Sequence, residues 1–275
     1  MLNNAKKKVE LGKLQETMVL PLWGRFLESK KSDPLVYDSK AIEIINNMDY
    51  DFSKIENKLT EYHALAWAIR SKTMDVAVEN FIKKHPKAII VNIGAGLDTS
   101  FERADNGEIT WYDLDLPDAI EFRKKFIDET DRRCYISKSV FDYSWFDDIK
   151  SKNNNILFIA SGVLEFFKEE DLKKLFYELA CKFPNGELFF DTLSEEGLRY
   201  ANDVMVKAGM KEGMMEWGIN SANEITKWND KIEVADEFSY YERIPRKKEW
   251  SNSVVETMNM CDKMKYANFY HLKFK

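Results

Sequence analysis

The stretch "AIIVNIGAGLDTSFERADNGEITWYDLDLP", residues 88–117, decides how the rest of the chain is read. Its first six residues, Ala88 to Ile93, are all apolar but Asn92 and run straight into Gly94-Ala95-Gly96. A run without polar alternation suits a strand buried on both faces, as in a parallel sheet. Glycines at the carboxyl end of such a strand remove Cβ where open α/β sheets bind ligands, so a ligand can approach the backbone amides closely. One strand further on, Asp113-Leu114-Asp115 leads into Leu116-Pro117. Period-two alternation sends Asp113 and Asp115 to the same side. A carboxylate at that strand end is placed to accept both hydroxyls of a ribose.

Two nucleotide cofactors compete for this arrangement. A dinucleotide fingerprint is G-x-G-x-x-G, and Thr99 stands where its third glycine belongs. The turn is instead Leu97-Asp98-Thr99, polar enough to cap the following helix and to receive an ammonium group. A pyrophosphate at a helix N-terminus would be repelled by Asp98, whereas a ligand carrying an amino acid fits an acidic loop. The residues point to S-adenosylmethionine, with an NAD-dependent oxidoreductase of similar sheet architecture as the alternative.

Working outward, further apolar runs fall at 108–114, 134–137, 155–161 and 187–193. Between them lie helix-like segments at 118–128 and 168–183, the latter with Leu172, Leu175, Phe176 and Leu179 at amphipathic spacing. Strand alternating with helix predicts a doubly wound, mostly parallel α/β sheet. Before residue 88 the chain reads as helical, with Leu65, Ile69, Ala77, Val78 and Phe81 at helical intervals ahead of Pro86. After residue 193 the reading is a helix at 195–208, a Met/Gly-rich stretch at 209–218 suited to a lid, a short helix at 222–228, and strands at 231–241 and 267–274. No repeat or Pro/Ser-rich linker interrupts the sequence. It is therefore read as one domain, with a helical N-terminal elaboration (1–87), a cofactor-binding core (88–193), and a lid region with the last strands (194–275).

Composition narrows the function classes. Over 275 residues, 44% are apolar and 32% charged, enough for a sizeable core, and the net charge of −6 disfavours nucleic-acid or anionic-membrane partners. Cys134, Cys181 and Cys261 are far apart and odd in number, which suits a reducing cytoplasm rather than a disulfide framework. Charges throughout the first residues leave no signal-peptide apolar core, and no run approaches membrane-spanning length. His63, His85 and His271 share no ligand spacing, so no metal site is expected. Neither a G-x-S-x-G elbow nor a P-loop is present. The aromatic residues Trp217, Trp228, Tyr240, Tyr241 and Trp250 suit either a substrate pocket or, more commonly, core.

"VNIGAGLDTSF" (91–101), "WYDLDLP" (111–117), "NILFIASGVLEFF" (155–167) and "FPNGELFFDT" (183–192), in this order, resemble the leucine carboxyl methyltransferase family and its bacterial polyketide-type O-methyltransferase branch. "LPLWGRFLESKKSDPLVYDSKAIEII" (20–45), "WGINSANEITKWNDKIEVADEFSYYE" (217–242) and "FYHLKF" (269–274) extend the likeness over nearly the whole chain. The resemblance implies a class I methyltransferase fold that transfers a methyl group from S-adenosylmethionine to a carboxylate or hydroxyl of a small molecule. It places the cofactor loop on Gly94, Ala95, Gly96 and Asp98, the ribose acid on Asp115, and the arginine that reaches the methionine carboxylate on Arg70. A guanidinium suits that task because it grips a carboxylate with two prongs. "KSVFDYSW" (138–145) matches the adenine-flanking stretch, which puts Val140 and Phe141 against the base and Asp142 near the exocyclic amine.

Two departures stand out. The family's Glu-Gly-Val-Leu after the fourth strand is Ser161-Gly162-Val163-Leu164, so a cofactor-facing glutamate becomes a hydroxyl. Ser100 stands where the bacterial branch commonly has arginine. A non-catalytic cofactor-binding protein is therefore a second alternative. The absence of an Asn/Asp-Pro-Pro-aromatic turn after that strand disfavours methylation of nucleic-acid bases. No catalytic residue is assigned: a carboxylate acceptor needs no base, and a hydroxyl needs one that the sequence does not name.

Overall fold

The computed structural model describes residues 6–8, 13–56, 60–150, 155–207 and 214–275. Its main sheet has seven strands: β1 (Ile89–Ile93), β2 (Thr110–Asp115), β3 (Arg133–Ser137), β4 (Ile156–Ala160), β5 (Glu187–Leu193), β6 (Ile232–Ser239) and β7 (Ala267–Phe274). They lie in the order β3-β2-β1-β4-β5-β7-β6. Strands β1 to β5 are mutually parallel, and β7 is antiparallel to both its neighbours. The chain leaves β1 toward β2 on one side and later returns to β4 on the other. The crevice at the carboxyl ends of β1 and β4 is thus the switch point at which such sheets take ligands.

Helices cover both faces. Those of five residues or more are α1 (Lys13–Ser29), α2 (Ser39–Asn47), α3 (Glu61–Lys84), α4 (Ser100–Ala104), α5 (Pro117–Arg123), α6 (Glu169–Lys182), α7 (Glu195–Lys207) and α8 (Asn252–Met264). Every residue of β1 and β4 is buried, as the unbroken apolar runs require. The period of two divides them between the layers. Ile89, Val91 and Ile93 pack with Leu172, Leu175, Phe176 and Leu179 of α6. Ile90 packs with Leu65, Ile69 and Val78 of α3 and Met258 of α8.

A third cluster explains what the N-terminal helices do. Val19, Leu22, Trp23 and Phe26 of α1 and Ile44 and Ile45 of α2 pack on Leu97, Phe122 and Phe126. Each such side chain contributes roughly 1.5–3 kcal/mol when fully buried, so these helices are fastened to the glycine turn itself. Helix α1 also lies close to α3: a Cβ on Gly24 would stand 2.9 Å from Trp67 Cε3.

The expected strands appear within two residues of their predicted limits, and so does the helix at 168–183. The helix expected at 118–128 ends at Arg123, because the next amides turn back onto carbonyls three residues away, Lys125 to Phe122 and Phe126 to Arg123. Helix α7 matches the expected 195–208 as far as Lys207, and Ala208 lies outside the described residues. So does 209–213 of the expected lid. Helix α8 is an addition the sequence reading lacked. Trp217, Tyr240, Tyr241 and Trp250 are all buried and belong to the core rather than to an open pocket. Among the described residues no helix is long and apolar enough to cross a membrane.

Candidate active site

The glycine turn needs its glycines. Gly94 has φ +66° and Gly96 φ +46°, left-handed conformations that side chains rarely adopt. A Cβ on Gly94 would also stand 2.5 Å from Val163 Cγ2, in the turn after β4. The Gly94 amide donates to Leu114 O at 2.8 Å, which binds the turn to the end of β2.

Asp115 completes the cradle. Its carboxylate accepts the Gly96 amide at 2.8 Å and the Leu116 amide at 2.7 Å. Burial raises its pKa, and those two amides oppose the shift. Each oxygen retains lone-pair capacity for a hydroxyl. Asp113 has a different job. It is fully buried, pairs with Arg123 at 2.7 Å, and accepts Trp111 Nε1 at 2.9 Å. Arg123 in turn donates to Gly96 O at 2.9 Å and Asp98 O at 2.7 Å. Asp113 therefore acts on the turn through Arg123, while Asp115 borders it directly.

Asp98 faces its own helix start. Its carboxylate accepts the Ser100 amide at 2.8 Å and the Ser100 hydroxyl at 3.1 Å, while the N-cap residue of α4, Thr99, makes no capping bond with its side chain. The Thr99 hydroxyl donates instead to Asp38. Asp38 sits in a buried network that the sequence reading missed: Arg25 and Arg103 each pair with it at 2.8 Å, and Arg103 also pairs with Asp75 at 2.6 Å. Burial alone would raise the Asp38 pKa, but the two guanidinium groups outweigh it and hold the carboxyl below its ordinary value. Arg25 also donates to Leu97 O at 2.8 Å. The elements before residue 88 thus hold the turn from outside.

Arg70, on α3, reaches the same edge. Its Nε lies 2.9 Å from Asp191 Oδ2 on β5 and its terminal nitrogen 4.0 Å from Glu165 Oε1. Its other terminal nitrogen lies where a Cβ on Gly162 would be, at 2.2 Å, so Gly162 (φ +65°) makes room for the guanidinium. Asp191 also accepts the Gly162 amide at 2.9 Å. Ser161 is the first residue beyond β4, next to this group. Glu165 and Asp191 were not among the sequence candidates. Glu165 is 5% exposed, and its Oε2 has no hydrogen-bond partner among the described residues.

The adenine candidates lie after β3. Val140 is buried and accepts Trp145 Nε1 on its carbonyl at 2.9 Å. Phe141 is half-buried, edge-on to Phe167 at 4.9 Å. Asp142 is exposed and caps the turn Tyr143–Asp148 through the Ser144 amide at 3.2 Å, a bond that lowers its pKa. The structure thus brings Arg70, Gly94, Ala95, Gly96, Asp115 and Ser161 to one sheet edge, with Val140, Phe141 and Asp142 on the loop beyond the neighbouring strand.

These residues suit S-adenosylmethionine: a bare-backbone turn, a carboxylate at the next strand end, and a buried carboxylate oxygen without a partner among the described residues. The comparisons agree. The leucine carboxyl methyltransferase family pattern matches residues 18–180, more than half the chain. The tetracenomycin polyketide synthesis O-methyltransferase TcmP of Streptomyces glaucescens is 27% identical over 220 residues, 79% of either chain. In fold, a Thermobifida fusca methyltransferase candidate superposes with a TM-score of 0.59 at 11% identity, covering 92% of this chain and 94% of its own. Magnesium protoporphyrin IX methyltransferase ChlM from Synechocystis, solved with bound S-adenosylhomocysteine, gives 0.51 at 10% identity, covering 86% of this chain and 100% of its own. The chain is an S-adenosylmethionine-dependent O-methyltransferase and belongs to the leucine carboxyl methyltransferase family.

Proposed function

We propose that the acceptor is a carboxylate of a small molecule, so that the product is a methyl ester. The supporting observation is where the histidines, the usual bases, lie. His63 caps the start of α3 through Thr60, and His85 ends the same helix. His271 is held by Glu187 at 2.6 Å on β7. None is among the residues gathered around the glycine turn. A carboxylate with pKa near 4 is ionised at neutral pH and attacks without proton removal. The Streptomyces relative serves polyketide synthesis, which supports a small-molecule acceptor over a macromolecule.

In this reading Asp115 accepts the ribose hydroxyls, and Gly94, Ala95, Gly96 and Asp98 form the loop at which the cofactor approaches the backbone. Arg70 grips the methionine carboxylate, Val140 and Phe141 flank the adenine, Asp142 meets its exocyclic amine, and Ser161 adds a hydrogen bond. The cofactor supplies a methyl group on positively charged sulfur, already activated for displacement by an oxygen in line with it. Orientation within about 3–3.5 Å then provides most of the rate. The whole chain works as one unit in the cytoplasm, and its net charge of −6 disfavours nucleic acid as substrate.

The test uses methyl-labelled S-adenosylmethionine and acceptor pairs that differ only in bearing a carboxylate or a phenol. The expected product releases its label as methanol in mild alkali, and its rate of formation is flat from roughly pH 6 to 8. An alkali-stable methyl ether formed at a rate that climbs with pH overturns the carboxylate reading.

A further inference from the structure

We infer that Glu165 supplies the carboxylate that holds the α-ammonium group of S-adenosylmethionine, replacing the charge that Ser161 does not carry. The inference rests on the cofactor assignment above. It starts from an imbalance in the structure. Glu165 is 5% exposed and sits in the 3-10 turn Leu164–Phe166, just beyond the carboxyl end of β4. Its Oε1 lies 4.0 Å from Arg70, too far for a hydrogen bond, and its Oε2 has no partner among the described residues. A buried carboxylate oxygen without a donor costs free energy that folding does not recover. Arg70 stands nearer the other acid, its Nε 2.9 Å from Asp191.

The surrounding charges define the missing ligand. One guanidinium, Arg70, faces two acids, Asp191 and Glu165, so the group lacks a second cation whenever both acids are ionised. The amino-acid end of S-adenosylmethionine carries an ammonium and a carboxylate, the latter offered to Arg70. An ammonium at Glu165 gives that oxygen its donor and an opposite charge, while the carboxylate of the same ligand goes to Arg70. The position is apt, since Gly94 meets Val163 and Gly162 meets Arg70, so the turn bearing Glu165 adjoins the glycine turn. The Glu165 carbonyl also accepts the Glu216 amide at 2.7 Å and the Trp217 amide at 3.1 Å, which fixes its backbone from the other side.

In the free protein the Glu165 carboxyl is pushed up to about 7 by burial and by Asp191, against the pull of Arg70. Asp191, with Arg70 and the Gly162 amide on its oxygens, keeps its charge better, so the extra proton resides on Glu165. Binding an ammonium then exchanges that proton for a cation and releases it to solvent.

The experiment is titration calorimetry of wild type and E165Q with S-adenosylhomocysteine and with 5′-methylthioadenosine, which lacks the amino-acid end. E165Q is expected to weaken S-adenosylhomocysteine roughly ten- to 150-fold, as for loss of a charged hydrogen bond. Its affinity for 5′-methylthioadenosine should match wild type, which also shows the variant to be folded. Near pH 6.5, wild type should release a proton on binding S-adenosylhomocysteine, read from buffers of different ionisation enthalpy, and E165Q should not. An unchanged S-adenosylhomocysteine affinity overturns the inference, even if turnover is lost, because Glu165 would then serve the acceptor. A weakening confined to S-adenosylmethionine also overturns it, since the carboxylate would then face the sulfonium. Should wild type bind neither nucleoside, the cofactor assignment itself fails, an outcome separate from either of these.

Discussion

Asp113 and Asp115 stand two residues apart on one strand, yet their removal should have opposite signatures. Asp113→Ala leaves Arg123, with a side chain 1% exposed, as a buried cation without its 2.7 Å partner. Breaking one side of a buried pair costs about 3–5 kcal/mol. For a chain of this size, at about 2 °C per kcal/mol, the melting temperature should fall by roughly 6–10 °C. Asp115→Ala removes a half-buried acceptor of two backbone amides that water can reach once the carboxylate is gone. Its stability cost should stay near 1 kcal/mol or roughly 2 °C. Its binding cost is larger: losing a charged acceptor for the ribose hydroxyls is worth about 1.5–3 kcal/mol, or roughly ten- to 150-fold in Kd. Thermal melts of the free proteins and calorimetry with S-adenosylhomocysteine read both quantities. Equal melting temperatures for the two variants, or unchanged affinity in Asp115→Ala, would refute the division of labour between these acids.

Three further outcomes are expected. S-adenosylmethionine and S-adenosylhomocysteine at a hundredfold excess over Kd should stabilise the protein by roughly 2.7 kcal/mol while NAD and NADP do not; a shift with NAD alone would contradict the Leu97-Asp98 argument. Gly94→Ala must adopt φ +66° against Val163 Cγ2 at 2.5 Å, so cofactor binding should be abolished in calorimetry, and retention of wild-type affinity would show that the turn is plastic. The last concerns pH. The Glu165 carboxyl is higher when folded, about 7, than its ordinary 4.5, so the stability it contributes is complete below 4.5 and is lost as pH rises through 7. Asp191 is shifted in the same direction by burial, and Arg70 opposes both. The melting temperature of the free protein should therefore fall between pH 5 and 8, and E165Q should flatten part of that fall; an equally steep fall in E165Q counts against a titrating Glu165.

What the sequence disclosed was whatever it encodes locally. The run from Ala88 to Ile93, the two glycines and the acid at 115 are adjacent features, and a buried parallel strand leaves few other ways to write them. The amphipathic stripe of α6 was equally plain. Helix α8 was not, because Val254, Val255, Met258 and Cys261 make only a thin apolar stripe and the helix ends on Lys265 at φ +52° rather than on glycine. The ion pairs around the site were hidden for another reason. Asp38 meets Arg103, and Glu165 and Asp191 meet Arg70, only after α1 to α4 and three strands have assembled. Before that, each is one more charged residue in a chain that is 32% charged. Ser161 was legible as a loss, and its compensation at Glu165 required coordinates.

The same ion pairs explain how a turn of small residues holds its shape. Glycine gives Gly94 and Gly96 access to left-handed backbone, but it also gives the unfolded turn the most freedom to lose. The structure answers that freedom from outside the turn. Arg123 takes the carbonyls of Gly96 and Asp98, Arg25 takes that of Leu97, and the Asp115 carboxylate takes the Gly96 amide. Three consecutive carbonyls are thus fixed by two guanidinium groups whose own charges are met by Asp113 and Asp38. A turn fixed in advance spends less ordering entropy when a ligand arrives. This is also why α1 and α2 matter to the site: Arg25 comes from α1, Asp38 is the residue that caps α2, and both helices supply the apolar packing on Leu97. Helices α1 and α2 are therefore part of the support of the glycine turn, while Arg70, on α3, reaches the same sheet edge directly.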